Sequence, residues 1–275
     1  MKTNVRLISA SAGVMIALGL TFVPAVAQAA APAEEIMSPA EDKHGAQRMF
    51  ERALDEVELR PEQQKAVEEL KAEAEERHKP VKEAKRELMN AAADQVEAGK
   101  IDRCALDPQI ERVASAKAQA HPGDRAAFEK LHSILDKDQR AKFVDALQRR
   151  WEARRQAHDP TKLADKMARE LGLTDEQKGK VQQILSGLQE ISQALGVHEA
   201  HSERWTRILE AFKGDRFVLD EISPAEDVAA MVKRKMEGHL WAAEALLPVL
   251  TKDQRGRLAE KLRGKARGYT EAEED

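Results

Sequence analysis

The 275 residues are 42% hydrophobic, 34% charged and only 4% aromatic, which supplies one or two modest cores and excludes a collagen, a low-complexity polymer or a multispan membrane protein. Six Phe, three Trp and one Tyr, with 14 Gly and 10 Pro, are too few for an all-β sandwich or a Gly-rich nucleotide-binding sheet, so helix is the default. Forty-five basic side chains stand against 49 acidic ones, interspersed along the chain, a pattern that offers nothing to nucleic acid.

The first element is a leader. Lys2 and Arg6 make a short positive start, Leu7 to Val26 is apolar and small, and Ala27-Gln28-Ala29 fits the small-x-small cleavage pattern of a secretory signal peptide. Ser9, Ser11, Gly13, Gly19, Thr21 and Pro24 break the stretch, so it falls short of the roughly 20 strongly apolar residues of an anchor. Cleavage after Ala29 removes both early cations and leaves 43 basic against 49 acidic side chains. The expected product is an exported, periplasmic protein with no membrane span after processing.

Beyond the leader the sequence reads as helices in a repeating order. One is expected at 44–57, followed by Leu59-Arg60-Pro61-Glu62-Gln63 and a long amphipathic helix carrying Val67, Leu70, Ala74, Val81, Ala84, Leu88 and Ala91, which Pro80 should kink. A break at Gly99-Lys100-Ile101-Asp102 precedes a helix at 107–134, expected to be interrupted at His121-Pro122-Gly123. Leu135-Asp136-Lys137-Asp138-Gln139-Arg140 then opens a helix to about 157.

The second half follows the same plan after Ala157-His158-Asp159-Pro160. A helix at 161–171 leads to Leu173-Thr174-Asp175-Glu176-Gln177 and a second long helix with Val181, Ile184, Leu188, Ile191, Leu195, Trp205, Leu209 and Phe212 on its apolar seam. A break at Gly214-Asp215-Arg216-Phe217, a helix at 224–247 and Leu250-Thr251-Lys252-Asp253-Gln254-Arg255 opening a helix to about 267 complete it. Three landmarks recur in one order at offsets of 114 or 115 positions, so the mature chain reads as two homologous domains, 40–157 and 158–268, with an acidic tail at 269–275. Each motif has a physical role as a helix start: Thr174 can cap free N–H groups, Asp175 and Glu176 complement the helix dipole, Gln177 completes a capping box, and Leu173 acts as a hydrophobic staple. Pro61 occupies the first helical position, where its missing N–H costs nothing.

A leucine, a cap, an acidic residue and a Gln, once before a long helix and once between two later helices of an exported α-domain, resembles the LTxxQ signature of the Spy/CpxP family. The motif residues here are Leu59, Pro61, Gln63, Leu135, Gln139, Leu173, Thr174, Gln177, Leu250, Thr251 and Gln254. Arg60 and Asp136 stand where the family pattern expects Thr, and the tandem arrangement departs from the usual single domain. The resemblance implies an all-α fold of two tandem four-helix domains. Family members resemble antiparallel dimers forming a curved cradle, so a tandem chain is expected to form an intramolecular pseudo-dimer. It also implies an ATP-independent chaperone or holdase of the envelope stress response that binds unfolded or damaged envelope proteins. The alternatives are a heavy-metal sensor or scavenger linked to metal resistance, with a membrane-bound sensor or anti-sigma factor as partner, and a structural helical interaction protein.

No enzyme is expected, for there is no G-x-S-x-G, H-E-x-x-H or Gly-rich phosphate loop, and no cofactor is called for. The weak metal candidates are His198 and His201, three apart on one helix face, and two helical ligands are not a site. Cys104, the only cysteine, reads as an unpaired surface residue or an intermolecular bridge. Candidate client-binding residues pair apolar groups with charge near helix ends: Met89, Phe143, Phe212, Phe217 and Met236, with Lys85, Arg86, Arg149 and Arg150 supplying positive charge. The leader generates the first prediction: the intact mass of the exported protein should correspond to a chain starting at or near Ala30, and retention of residues 1–29 would remove the argument for a periplasmic location.

Overall fold

The computed structural model describes residues 45–157, 159–194, 197–224 and 227–269, so the leader lies outside the described residues. Ten α-helices account for nearly all of them: α1 (Gly45–Asp55), α2 (Pro61–Ala98), α3 (Arg103–Ile134), α4 (Lys137–Ala157), α5 (Pro160–Leu171), α6 (Asp175–Ala194), α7 (Val197–Lys213), α8 (Leu219–Ile222), α9 (Val228–Leu246) and α10 (Lys252–Arg267), with a 3-10 turn at Leu247–Val249 before α10. The all-α expectation holds.

The helix ends follow from local chemistry. Asp102, Asp159 and Asp227 cap α3, α5 and α9 by accepting backbone N–H groups of the first turn. At the end of α2, Gly99 takes φ +78°, and Lys100 N–H reaches the Gln95 carbonyl, closing the helix in a left-handed turn that suits glycine. Within α2 the chain continues helically through Pro80.

One sequence expectation needs correction. The break at His121-Pro122-Gly123 does not occur: α3 is continuous from Arg103 to Ile134. Proline removes one backbone bond, but packing on both sides of it fixes the helix. Leu106, Ile110 and Val113 before it, and Asp124, Phe128 and Leu131 after it, are all buried. Gly123 permits the close approach, since a Cβ there would stand 2.5 Å from Cδ of Arg77 on α2. The second long helix is described as α6 and α7 on either side of Leu195-Gly196, which lie outside the described residues.

The four motif glutamines organise the helix starts in two pairs. Gln63 and Gln139 donate their amide Nε2 to each other's Oε1 at 2.7 and 2.9 Å. Gln63 also accepts Arg60 N–H and donates to the Ile134 carbonyl, while Gln139 accepts Asp136 N–H and donates to the Glu58 carbonyl. The same bonds recur between Gln177 and Gln254, which exchange amide bonds at 2.8 and 2.9 Å, accept Thr174 and Thr251 N–H, and donate to the Val249 and Gly172 carbonyls. A primary amide has two donors and two acceptor sites, and all four are used in each residue. Arg60, lacking an acceptor, cannot cap α2, and its guanidinium instead meets Asp136 of the paired motif at 3.0 Å.

Packing crosses the 157–160 connection. α10 lies along α2, α9 along α3, and α7 against α4. The main core is aromatic and drawn from both sides of the connection: Phe50, Phe128 and Phe143 meet Trp205, Phe212 and Phe217, with Phe128 and Phe212 stacked at 4.7 Å between centroids and Phe128 and Phe217 edge-on at 5.3 Å. Two arginines reach across in matching fashion. Arg140, one residue after Gln139, donates to the Leu135 carbonyl and to Asp215 in the bend after α7. Arg255, one residue after Gln254, donates to the Leu250 carbonyl and lies against Gly99 in the bend after α2.

Replacing either member of the first glutamine pair should be costly, because each leaves buried donors and acceptors without partners. Gln139→Ala is expected to destabilise by about 2–4 kcal/mol in urea unfolding. Gln63→Ala/Gln139→Ala should cost clearly less than the sum of the single changes; an additive double mutant would show that the pair does not act as a unit.

Candidate functional site

The sequence candidates divide once placed. Phe143 and Phe212 have no exposed surface and Phe217 retains 7%; all three belong to the shared aromatic core and offer no face to a client in this arrangement. Arg149 and Arg150 both bind Glu56, between α1 and α2. Burial pushes the Glu56 carboxyl up, but Arg150 and Arg149 outweigh it and hold the group below the ordinary carboxylate range. Met89 and Met236 are half-buried on α2 and α9. The motif residues serve the helix starts: Gln63, Gln139, Gln254, Leu135 and Leu250 are buried, Leu59, Leu173 and Gln177 half-buried, and Pro61, Thr174 and Thr251 exposed. The side chains of His198 and His201 lie outside those described. Among the described residues no three His, Cys, Asp or Glu side chains gather as a metal site. Cys104 is exposed in the first turn of α3.

What the structure adds is a partly open basic region, referred to below as the hollow, to which α2, α3, α9 and the end of α10 contribute. α9 supplies its apolar wall. Of 19 residues, only Val228 and Leu246 are buried; Met231, Val232, Met236 and Leu240 are half-buried, and Trp241 is, among the described residues, the large apolar side chain most open to solvent, at 39%. A helix so apolar is ordinarily covered. Here α3 and α6 cover it only in part.

The hollow is also basic. Lys85 and Met89 stand four residues apart on α2 and Lys235 and His239 four apart on α9, so each of these pairs shares a face; Lys117 comes from α3, Lys265 from α10 and Tyr269 from the turn after it. The Lys85 ammonium sits 5.8 Å from the centre of the Tyr269 ring. Burial lowers the Lys85 pKa to about 7, helped by the charges of Lys117 and Lys235. Burial likewise brings Lys117 to about 8, with Lys235 pushing it down and Asp124 pulling it up. His239 falls to about 4 through burial and the cations Lys235 and Lys265. Lys85 and Lys117 are nonetheless half-buried and His239 exposed by surface area, so solvent reaches all three.

Below Lys117 the α2–α3 contact is fixed by a buried ionic group. Asp124, 1% exposed, accepts Arg77 Nε at 2.9 Å and lies 2.8 Å from Nε2 of the fully buried His78. Removing one partner of such a group is far more costly than the pair's net contribution. Sequence reasoning found Lys85, Met89 and Met236 but missed Lys117, Lys235, His239, Lys265 and Tyr269. The local signal was present as i, i+4 spacing on each helix; the convergence of three helices and a fourth helix's end was not.

Residues 42–147 match the model of a family described as the LTXXQ motif family. No curated protein and no solved structure matches the chain. The matched span contains the first glutamine pair and ends within α4.

The depressed Lys85 pKa sets a pH dependence. Between about pH 7 and the ordinary lysine range near 10.5, the unfolded chain binds the proton that the folded chain has lost, so stability contributed through Lys85 rises with pH across that window. Lys85→Met should therefore be stabilised relative to the unsubstituted protein at pH 7, with the advantage shrinking toward pH 10 in thermal unfolding. An advantage that stays constant over that range would show that Lys85 does not titrate in the hollow.

Proposed function

We propose that this chain, whose residues 42–147 match the LTXXQ motif family, is an exported holdase that binds partly unfolded polypeptide segments in the hollow between α2, α3, α9 and α10, without ATP and without making or breaking bonds. The observation that carries the reading is α9: an apolar helix with Met231, Val232, Met236, Leu240 and Trp241 left partly open, which also contributes Lys235 to the group of cations formed with Lys85, Lys117 and Lys265. Covering one such half-exposed side chain contributes about 1 kcal/mol, so several together hold a client weakly and without regard to its exact sequence. Methionine suits that task because its flexible thioether fits irregular partners. The surrounding cations raise the encounter rate with acidic segments at low ionic strength.

The two repeats complete one another in this reading. α10 packs on α2 and α4 on α7, so a single chain provides what two copies of a one-domain relative would provide together, and the hollow draws residues from both repeats. A periplasmic location fits the family and the leader, and among the described residues no helix is long and apolar enough to cross a membrane.

The test is aggregation of a chemically unfolded model client, diluted into buffer containing neither metal nor nucleotide. The protein should suppress light scattering at near-stoichiometric ratios, and Met236→Asp/Trp241→Asp should lose most of that protection while keeping its helical circular dichroism. Absence of protection by the unsubstituted protein would overturn the reading, as would full protection by the folded double variant.

A further inference from the structure

One face of α9 is turned away from the helices that hold it. Ion pairs Lys233–Glu111 and Glu244–Arg103 tie one side of the helix to α3, and Leu246 packs with Ala164 and Val181 on another. Met231, Arg234, Gly238, Trp241 and Ala245 follow one another in three- and four-residue steps, so they share a third face. That face is open at its centre. A Cβ on Gly238 would meet no heavy atom within 4 Å among the described residues, and Arg234 and Trp241 to either side are exposed. Glycine inside a helix is costly, and here no neighbour within the chain comes close enough to require it.

We propose that this face of α9 pairs with the same face of a second copy of the chain, antiparallel about a two-fold axis at Gly238, and that the dimer withholds α9 from clients. The withholding rests on the reading of α9 as a client surface; the pairing does not. A two-fold contact must be complementary to itself, and the order of residues about Gly238 meets that demand. Arg234 and Ala242 lie four residues to either side of it, Met231 and Ala245 seven. In an antiparallel pair centred there, Met231 faces Ala245 of the second copy and Arg234 faces Ala242, with Trp241 one residue along, so each large side chain meets a small one. The Arg234 guanidinium then lies over the open Trp241 ring, a favourable cation–π contact that the axis makes twice. A parallel pair would set Arg234 against Arg234 instead. Two glycines at the crossing let the backbones approach closely.

The contact is limited in extent. Met231 to Ala245 spans about 21 Å of helix, which falls short of a standard interface of roughly 1,600 Å². Dissociation is therefore expected at about 10–100 µM, and an unfolded client that binds α9 competes with the second copy by mass action. Concentrated protein covers its own apolar helix, and dilute protein presents it.

Sedimentation equilibrium of the full chain after the leader, between about 1 and 300 µM, should show reversible dimers. Gly238→Gln tests the axis without crowding the single chain: it should melt no lower than the unsubstituted protein and stay monomeric throughout. Arg234→Gln should raise the dissociation constant about tenfold. In a Cys104→Ser background, Gly238→Cys should form an intermolecular disulfide on mild oxidation, whereas Ala230→Cys, whose two copies the antiparallel arrangement holds about 24 Å apart along the axis, should not. An unsubstituted protein that is monomeric at the highest concentration overturns the pairing, as does a folded Gly238→Gln dimer of undiminished strength, or equal cross-linking from positions 230 and 238. The withholding is read with the unfolded client: per chain, Gly238→Gln should protect better than the unsubstituted protein above the dissociation constant and equally well far below it. Equal protection at both concentrations overturns the withholding. Dimers in a protein that protects no client at any concentration preserve the pairing and overturn the client reading alone.

Discussion

A buried primary amide must fill two donor and two acceptor sites, and this fold is arranged around the way its four motif glutamines do so. Each turns its oxygen back to cap its own helix start and its nitrogen outward to the carbonyl that ends the segment before the paired motif, and each exchanges a bond with its opposite number. One side chain therefore fixes a helix start and joins it to a second start some 76 or 77 residues away. Shortening the side chain or substituting a carboxylate would break the exchange, because Glu would bring two acceptors and no donor to a place that needs both. The positions of α2, α4, α6 and α10 all descend from this constraint.

Around those fixed starts the apolar surface is buried unevenly. The aromatic side chains gather around Phe128 and Phe212, whereas the cluster of Ala164, Val181 and Leu246, with Met167, Leu173, Ile184, Leu185 and Val249 around it, contains no ring at all. That cluster has no ring to spread over its neighbours, and α9 is left with its methionines and Trp241 partly open. The hollow is thus a result of uneven investment in packing, and the helices that line it are held by groups outside it: the Asp124–His78–Arg77 set between α2 and α3, and the Arg103–Glu244 pair between α3 and α9.

Much of this was legible in the sequence, for reasons that can be located. The helix starts announced themselves because caps, dipole-matched acids and Gln at the third helical position are local. The repeat announced itself because those starts recur. The pairing of Gln63 with Gln139 was not legible, since nothing in a capping box says where its amide nitrogen points. Phe143, Phe212 and Phe217 looked like surface candidates because they lie near helix ends with charge around them; that they meet at one core is a property of how the halves cross. Pro122 was read as a break by its local cost alone, which the packing of α2 against α3 overrides. The cluster of cations was invisible for the same reason as the core: its members come from separate elements, each ordinary by itself.

The crossing of the halves also bears on how the chain reaches its native state. Phe50, Phe128 and Phe143 precede the residues that cover them, Trp205, Phe212 and Phe217, by long stretches of chain. As the polypeptide emerges amino end first, the earlier rings have no complete shelter until α7 and the bend after it arrive. Contacts so distant in sequence form late, since loop closure must precede them. For that interval the nascent protein carries its own exposed aromatic surface beside abundant charge, and its folding is therefore exposed to the same aggregation hazard that holdases relieve in other proteins.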